Sequence, residues 1–298
     1  MLHDDEINQR LVDYPEPEEV KNIRENIKTS FKDLEFQEGP HKYYVHYGKK
    51  KKEELPSVSS VVAGFEQYTD WDTVKERYAL KNDLTVDEVT RMWKETNIIA
   101  TNNGTSTHLF GEMYMHYFQG HPELICDIIK PQYEDGFLIP YSGKQMAAMA
   151  YYKEMYDSFY DNTKAIKMYP VMPESQIYIY KDNEFGIKKR YAGTFDILHA
   201  YQDKTGKWKL AIHDWKTNAS LTNEFARSTK KFMLPPFDDF IDEDLSHYII
   251  QLSLYQIGLM QLGYEIGDRR IIWLKENGTY EKISLPDVTD RLLSVLSQ

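Results

Sequence analysis

The sequence predicts an α+β fold in which a central mixed β-sheet is flanked by helices. Three observations predict it. Two capping-box patterns, Thr85 with Glu88 and Ser142 with Gln145, each precede a stretch of helix-forming residues. Three runs rich in Ile, Tyr and Val follow at 166–180, 188–201 and 208–213, divided by the turn signals Asp182-Asn183 and 203–206. An apolar helical stretch and two further strand-like runs then complete the chain. Helices, antiparallel strands, a helix and strands again is an α+β order.

Taken in order, residues 1–38 read as an acidic N-terminal arm, flexible or loosely helical, containing the turn-rich PEPEE. Run 41–47 (HKYYVHY) has strand composition, 48–54 is a basic loop, and 56–62 (PSVSSVV) leads into a helix, giving a hairpin followed by a helix start. The lysines at 49–52 are either a phosphate contact or a solvated hairpin tip. A helix starts near Val86, and a second covers about 104–118, ending before Gly120-His121-Pro122. The Ser142 helix runs to about Tyr160. Strands 188–201 and 208–213 form a tight antiparallel pair. Ser246 caps a helix that Gly263 ends. Runs 269–274 and 280–284 make a hairpin around Glu276-Asn277-Gly278, and a short amphipathic helix closes the chain. The expected organisation is the arm at 1–38 and one domain at 39–298, with a helical part at about 65–160 and a catalytic core at about 161–298.

Composition narrows the class. In 298 residues, 41% hydrophobic and 28% charged is ordinary for a soluble globular protein. No apolar run is long enough to span a bilayer, so no membrane partner is expected. The N-terminus, MLHDDEINQR, lacks the apolar core of a signal peptide. The single cysteine, Cys126, excludes an internal disulfide and a four-cysteine iron–sulfur cluster, and fits a reducing, cytoplasmic setting. The net charge of −11 weighs against tight nonspecific nucleic-acid binding. It is, however, concentrated: residues 1–20 carry −6 and 237–244 (FDDFIDED) carry −5, so the rest of the chain is neutral. Between Lys181 and Lys216 the balance is +3.

The chemistry-bearing stretch is 191–218, YAGTFDILHAYQDKTGKWKLAIHDWKTN. Asp196 sits within one strand, and Asp214 and Lys216 end the next. Two residues apart, Asp214 and Lys216 share a face, and the turn at 203–206 brings Asp196 opposite Asp214. Buried together, two carboxylates repel and are costly to desolvate. A hard divalent cation, Mg²⁺ or Mn²⁺, removes that cost, and one or two such ions are expected. The lysine would lower the pKa of a nearby water or steady charge growing on a phosphate. Trp215 faces the other way, but its carbonyl can reach the metal. An Asp-x-Lys alone is commonly a surface ion pair, whereas Asp196 in apolar GTFDIL is unusual for a strand. His108, which follows GTST at a helix opening, shares a face with Glu112 at i and i+4, as either ligand or structural histidine. Glu174 in PESQIYI is either a supporting carboxylate or an edge residue. Gln251 and Tyr255, again at i and i+4, put an amide on an apolar helix that needs a partner.

In chain order, PSVSSVV, GTSTH with Glu112, PESQIYI, AGTFDIL, IHDWKTN and QLSLY together resemble the RecB-like exonuclease branch of the PD-(D/E)XK nuclease superfamily, over roughly residues 55–255. That branch includes Cas4 nucleases and the mitochondrial genome maintenance exonuclease. The resemblance implies a restriction-endonuclease-like core and Mg²⁺- or Mn²⁺-dependent cleavage of DNA. It implies metal ligation by His108, Asp196, Asp214 and the Trp215 carbonyl, with Lys216 orienting or activating the attacking water. It also implies a Q-x-x-x-Y element in Gln251 and Tyr255, and phosphate contacts from Thr105 and Thr217. The cluster-binding cysteines of many relatives are absent, so the cluster-free members are the closer comparison. The implied activity is an exonuclease acting on single-stranded or end-threaded DNA in replication, recombination or repair, in a phage or bacterial setting. The alternatives are a structure-specific endonuclease and a non-catalytic DNA-binding recombination partner. The acidic segments would add contacts to recombination or replication proteins.

Overall fold

The structure, a computed structural model, describes residues 16–49, 51–118, 132–134, 137–139, 141–160 and 167–298. The first part of the acidic arm, Lys50, Gly120-His121-Pro122 and Cys126 lie outside the described residues.

From residue 16 onward the expected arm is part of the body. Helix α1 (Glu18–Ser30) buries Val20, Ile23 and Ile27, an i, i+3, i+7 stripe under a charged exterior. Its Arg24 pairs with Glu16 and donates to the carbonyl of Val171 at 2.5 Å. Strands β1 (Leu34–Gln37), β2 (Lys42–Tyr47) and β3 (Lys51–Leu55) form an antiparallel meander. The basic segment expected as a loop is thus mostly strand from Lys51 onward: Gly48, at φ +70°, and Lys49 are in the turn, and Lys52 lies 3.3 Å from Glu35. Ser57 then caps α2 (Val58–Ala63), accepting from the Ser60 N–H at 3.0 Å.

Asp70 caps α3 (Trp71–Asn82), which pairs with α4 (Val86–Phe118). The Thr85–Glu88 capping box is formed at 2.8 and 3.2 Å. One continuous helix of 33 residues, about 50 Å long at 1.5 Å per residue, replaces the two expected. Gly104 fails to break it because a helical glycine costs only about 1 kcal/mol, which burial of Phe110, Tyr114 and Met115 readily exceeds. A small hairpin, β4 (Gln132–Glu134) and β5 (Phe137–Ile139), precedes α5 (Gly143–Tyr160). The Ser142–Gln145 box opens α5 at 3.0 and 3.2 Å.

The main sheet runs β10-β9-β8-β7-β6, with β6 (Met168–Tyr178), β7 (Ala192–Gln202), β8 (Trp208–Lys216), β9 (Ile266–Leu274) and β10 (Tyr280–Ser284). All pairs are antiparallel except β8 with β9. That parallel pair needs a long crossover, supplied by α6 (Glu224–Thr229) and α7 (Asp244–Met260). Helix α7 begins two residues before the expected cap, so Ser246 lies inside it and its N–H bonds the Glu243 carbonyl. The acidic stretch is drawn into the fold: Asp242 pairs with Lys231 and His247, Glu243 with Arg227, and Phe237 is fully buried. Helix α8 (Thr289–Leu296) closes the chain.

Helices cover both faces of this sheet. Helices α1, α2, α7 and α8 pack on one face, around Leu198, Ile212, Ile250 and Leu254. Helices α4 and α5 pack on the other, around Phe110, Tyr151, Ile197 and Trp215. Strands β7 and β8 are therefore buried on both sides, which fixes the side chains at their ends. No helix among the described residues is long and apolar enough to cross a membrane.

Candidate metal centre

The antiparallel ladder of β7 and β8 closes at Ile197 and His213. Asp196 and Asp214 are next in register, and here the strands part. The Asp196 carboxylate fills the opening, its Oδ2 accepting the Trp215 N–H at 2.7 Å. On the other side, Pro173 pairs with Ile197 and Ser175 with Phe195, which sets Glu174 of β6 opposite Asp196. Glu174 itself has φ +42°, a left-handed conformation that non-glycine residues seldom adopt within a strand. Helix α4 lowers His108 onto the same spot.

One ligand atom each from His108, Glu174 and Asp196 can be chosen so that all lie within 4.8 Å of one another. His108 Nδ1 is 3.4 Å from Asp196 Oδ2 and 4.0 Å from Glu174 Oε1. Glu112 and Tyr152 complete the walls of this small cavity. Beside it, Asp214 is fully buried and in ion-pair contact with the Lys216 ammonium, yet neither of its oxygens has hydrogen-bond geometry to any group among the described residues. Lys216 Nζ also lies 4.4 Å from the centre of the Tyr248 ring.

The charges are strongly coupled. Burial, and then the neighbouring charge of Asp196, raise the Glu174 carboxyl to about 8. The same two causes raise Asp214 to about 6, against the pull of Lys216. Burial would raise Asp196 as well, but the charge of His108 and a hydrogen bond from it hold Asp196 below the usual carboxylate range. Burial disfavours charged His108, and the Asp196 carboxylate outweighs this and lifts the imidazole to about 9. Lys216 is raised, despite burial, by Asp214 and Asp196. Several carboxylates with too few hydrogen-bond donors is the state a cation relieves. Carboxylate oxygens and one imidazole suit a hard or borderline divalent ion, so this donor set fits Mg²⁺ or Mn²⁺.

The sequence-predicted residues fall into groups. His108, Asp196 and Glu174 converge, Glu112 lines the cavity, and Asp214 with Lys216 stands alongside. For Trp215 it is the N–H that meets the site. Its ring is buried against α4, so close that a Cβ on Gly111 would lie 2.5 Å from it. Gln251 donates to the Tyr255 hydroxyl at 3.0 Å, which answers the need of its amide. Thr217 faces Gly104, whose Cβ would sit 3.4 Å from the Thr217 Oγ1. Thr105 is exposed one turn before His108 and is not brought to the cluster.

Sequence reasoning missed Tyr248 and Asn218. Tyr248 precedes Gln251 by three and Tyr255 by seven, the same helical face, and that spacing could have revealed it. Its hydroxyl donates to Asn218 at 3.0 Å, while Asn218 donates to Asp244 at 2.7 Å. Beneath the site, Tyr151 bonds His213 Nδ1 at 2.7 Å, and His213 Nε2 lies 3.2 Å from Asp268. His199, beside His213, is fully buried with neither ring nitrogen partnered among the described residues. Comparison with protein-family models finds none that matches, and comparison with curated proteins finds no match.

Proposed function

We propose that this chain is a divalent-metal-dependent nuclease of PD-(D/E)XK type that hydrolyses phosphodiester bonds in DNA, working from strand ends. The observation that carries the reading is the convergence of His108, Glu174 and Asp196 beside the buried Asp214–Lys216 pair, where the end of β8 parts from the paired strands β6 and β7 under α4.

His108, Glu174 and Asp196 would hold a Mg²⁺ or Mn²⁺ ion, with Asp214 as a further carboxylate ligand. When bound, such an ion supplies Lewis-acid polarisation of a phosphoryl oxygen and acidifies water. The rest is the work of the chain. The Trp215 N–H holds Asp196 Oδ2, the oxygen that faces His108. Lys216 keeps its proton, so its ammonium acts as a fixed positive charge towards phosphate oxygens and not as a base. The Tyr248 ring and the Asp214 carboxylate hold that ammonium in place. The Gln251–Tyr255 pair braces the β7 side, with the Tyr255 ring 6.0 Å from that of Phe195.

The test is digestion of end-labelled linear and covalently closed circular DNA with Mg²⁺, Mn²⁺ or EDTA, using wild type, Asp214→Ala and Lys216→Ala. Metal-dependent loss of linear DNA alone, absent in both variants, is expected. Cutting of circles would replace the exonuclease with an endonuclease. Intact DNA of every form in every metal would overturn the reading.

A further inference from the structure

Eight of the twelve large apolar side chains exposed among the described residues fall between Tyr68 and Ile99, so the exposed apolar surface is concentrated in one place. That place is the hairpin of α3 and the first half of α4. Helix α3 packs chiefly on α4, and residues 90–106 of α4 are almost all exposed, so the hairpin projects from the body. On it stands a cluster of three rings. Trp93 of α4 meets Trp71 edge-on at 6.3 Å and Tyr78 at 5.4 Å. Trp71 is 59% exposed and Tyr68, just before the helix, 90%. A protein does not hold tryptophan and tyrosine faces in water for the sake of its own core.

What covers them is indicated by charge and by position. On α3, Trp71, Lys75 and Tyr78 share one face at i, i+4 and i+7; Asp72 and Glu76 lie off it, with Asp72 3.2 Å from the Lys75 ammonium. On α4, the strip from Trp93 through Thr96, Ala100 and Gly104 leads to His108 and carries no carboxylate. Alongside this strip runs a groove of ≈ 550 Å³ bounded by Thr96, Ala100, Gly104, Lys144, Thr217 and Asn218. Its lining includes no acid, in a chain of net charge −11, and its one lysine, Lys144, reaches out of the groove to Glu276 at 2.8 Å. The groove ends at Thr217, next to Lys216.

We infer that the Trp71–Tyr78–Trp93 cluster is a stacking platform for the bases of an unpaired DNA strand, whose backbone follows the acid-free groove to the metal centre; this rests on the nuclease reading. Aromatic faces accept any base, and the polar groove tolerates a phosphate backbone, so the site selects single strands without selecting sequence. From Trp93 to His108 is about 22 Å along the helix. That distance takes about six nucleotides at the stacked spacing of 3.4 Å. Strands shorter than this reach the metal centre without touching the platform.

The experiment compares oligothymidylates of about 4 and about 16 nucleotides as substrates for wild type, Trp71→Leu and Trp71→Tyr in Mg²⁺. Quenching of tryptophan fluorescence by the same oligomers is followed in EDTA, with no turnover. Trp71 is exposed, so its replacement leaves the fold intact, which circular dichroism checks. The expected result is a rise of about tenfold in KM for the long strand in Trp71→Leu, with kcat unchanged, no change for the short strand, and recovery in Trp71→Tyr. Quenching by the long strand alone is expected in wild type. Equal effects on both lengths, or none, with cleavage intact, would overturn the platform and leave the nuclease standing. Quenching by the long strand without any cleavage would support the platform and overturn the nuclease. Dimers that dissociate in Trp71→Leu, seen by sedimentation, would assign the face to a second copy of the chain and overturn the platform.

Discussion

Replacing Glu174 separates two properties that the structure joins at one residue. Its backbone is left-handed, at φ +42°, where a side chain costs about 1–2 kcal/mol relative to glycine. Its carboxylate belongs to the proposed ion site. Glu174→Ala and Glu174→Gly both remove the carboxylate, and only the second relieves the backbone. At an ordinary strand position glycine is the less stable choice by about 0.5–1 kcal/mol, because it gains more freedom on unfolding. Here the relief outweighs that loss, and Glu174→Gly is expected to exceed Glu174→Ala in stability by about 0.5–1 kcal/mol. The sign is thus inverted, and the two expectations stand about 1–2 kcal/mol apart. Urea unfolding in EDTA, or a melting difference of about 2 °C per kcal/mol, resolves this. Metal-dependent cleavage should fall equally in both variants. An alanine variant as stable as the glycine variant, or more so, would refute the argument from backbone conformation.

Two further changes probe the surroundings. Gly111→Ala gains about 1 kcal/mol of helix propensity, but its Cβ would lie 2.5 Å from a Trp215 ring boxed in by Tyr151 and Tyr152. A net destabilisation of about 1–3 kcal/mol is expected, with weakened metal binding because Trp215 holds Asp196; isothermal titration with Mn²⁺ and thermal melting measure both, and an unchanged melting temperature would contradict the packing. His199 is buried without a hydrogen-bond partner among the described residues, and its pKa is well below normal, chiefly through burial and then through His213. A depressed histidine stabilises the fold above its unfolded pKa and loses that contribution as pH falls below about 6.5. The stability gap between wild type and His199→Leu should therefore change by about 1.4 kcal/mol per pH unit below 6.5, and a gap independent of pH would show that His199 takes up its proton as readily in the folded as in the unfolded chain.

The sheet was legible because its signals are local. Strand runs bounded by Asp-Asn and Asp-to-Gly turns mark β6 to β8, the Glu276-Asn277-Gly278 turn marks β9 and β10, and the two capping boxes mark the starts of α4 and α5. Helix α1 was hidden because three buried aliphatics are outnumbered by charged neighbours, so composition read as solvent-exposed what spacing placed inside. Gly104 suggested a break in α4 that packing overrides. At the site, Asp214 and Lys216 follow from strand alternation alone, and Asp196 from the hairpin register. Glu174 was ambiguous in the sequence because its position depends on a backbone conformation that no neighbouring residue announces. Tyr248 was readable from its spacing to Gln251 and Tyr255, whereas Asn218 depends on how α7 crosses back over the sheet, which is a long-range property of the fold.

The unbroken length of α4 has a mechanical consequence. The helix rests at Gly111, which has no side chain of its own, on the ring of Trp215. Taking that point as a fulcrum, Trp93 lies about 27 Å away along the rod and His108 only about 4.5 Å. Tilting the rod moves its tip about six times as far as its working end. A swing of about 3 Å at Trp93, ample for the hairpin to settle on whatever it meets, displaces His108 by about 0.5 Å, the tolerance within which a ligand still serves its site. The long helix thus acts as a reduction gear, giving the projecting hairpin freedom to move while the imidazole stays in register.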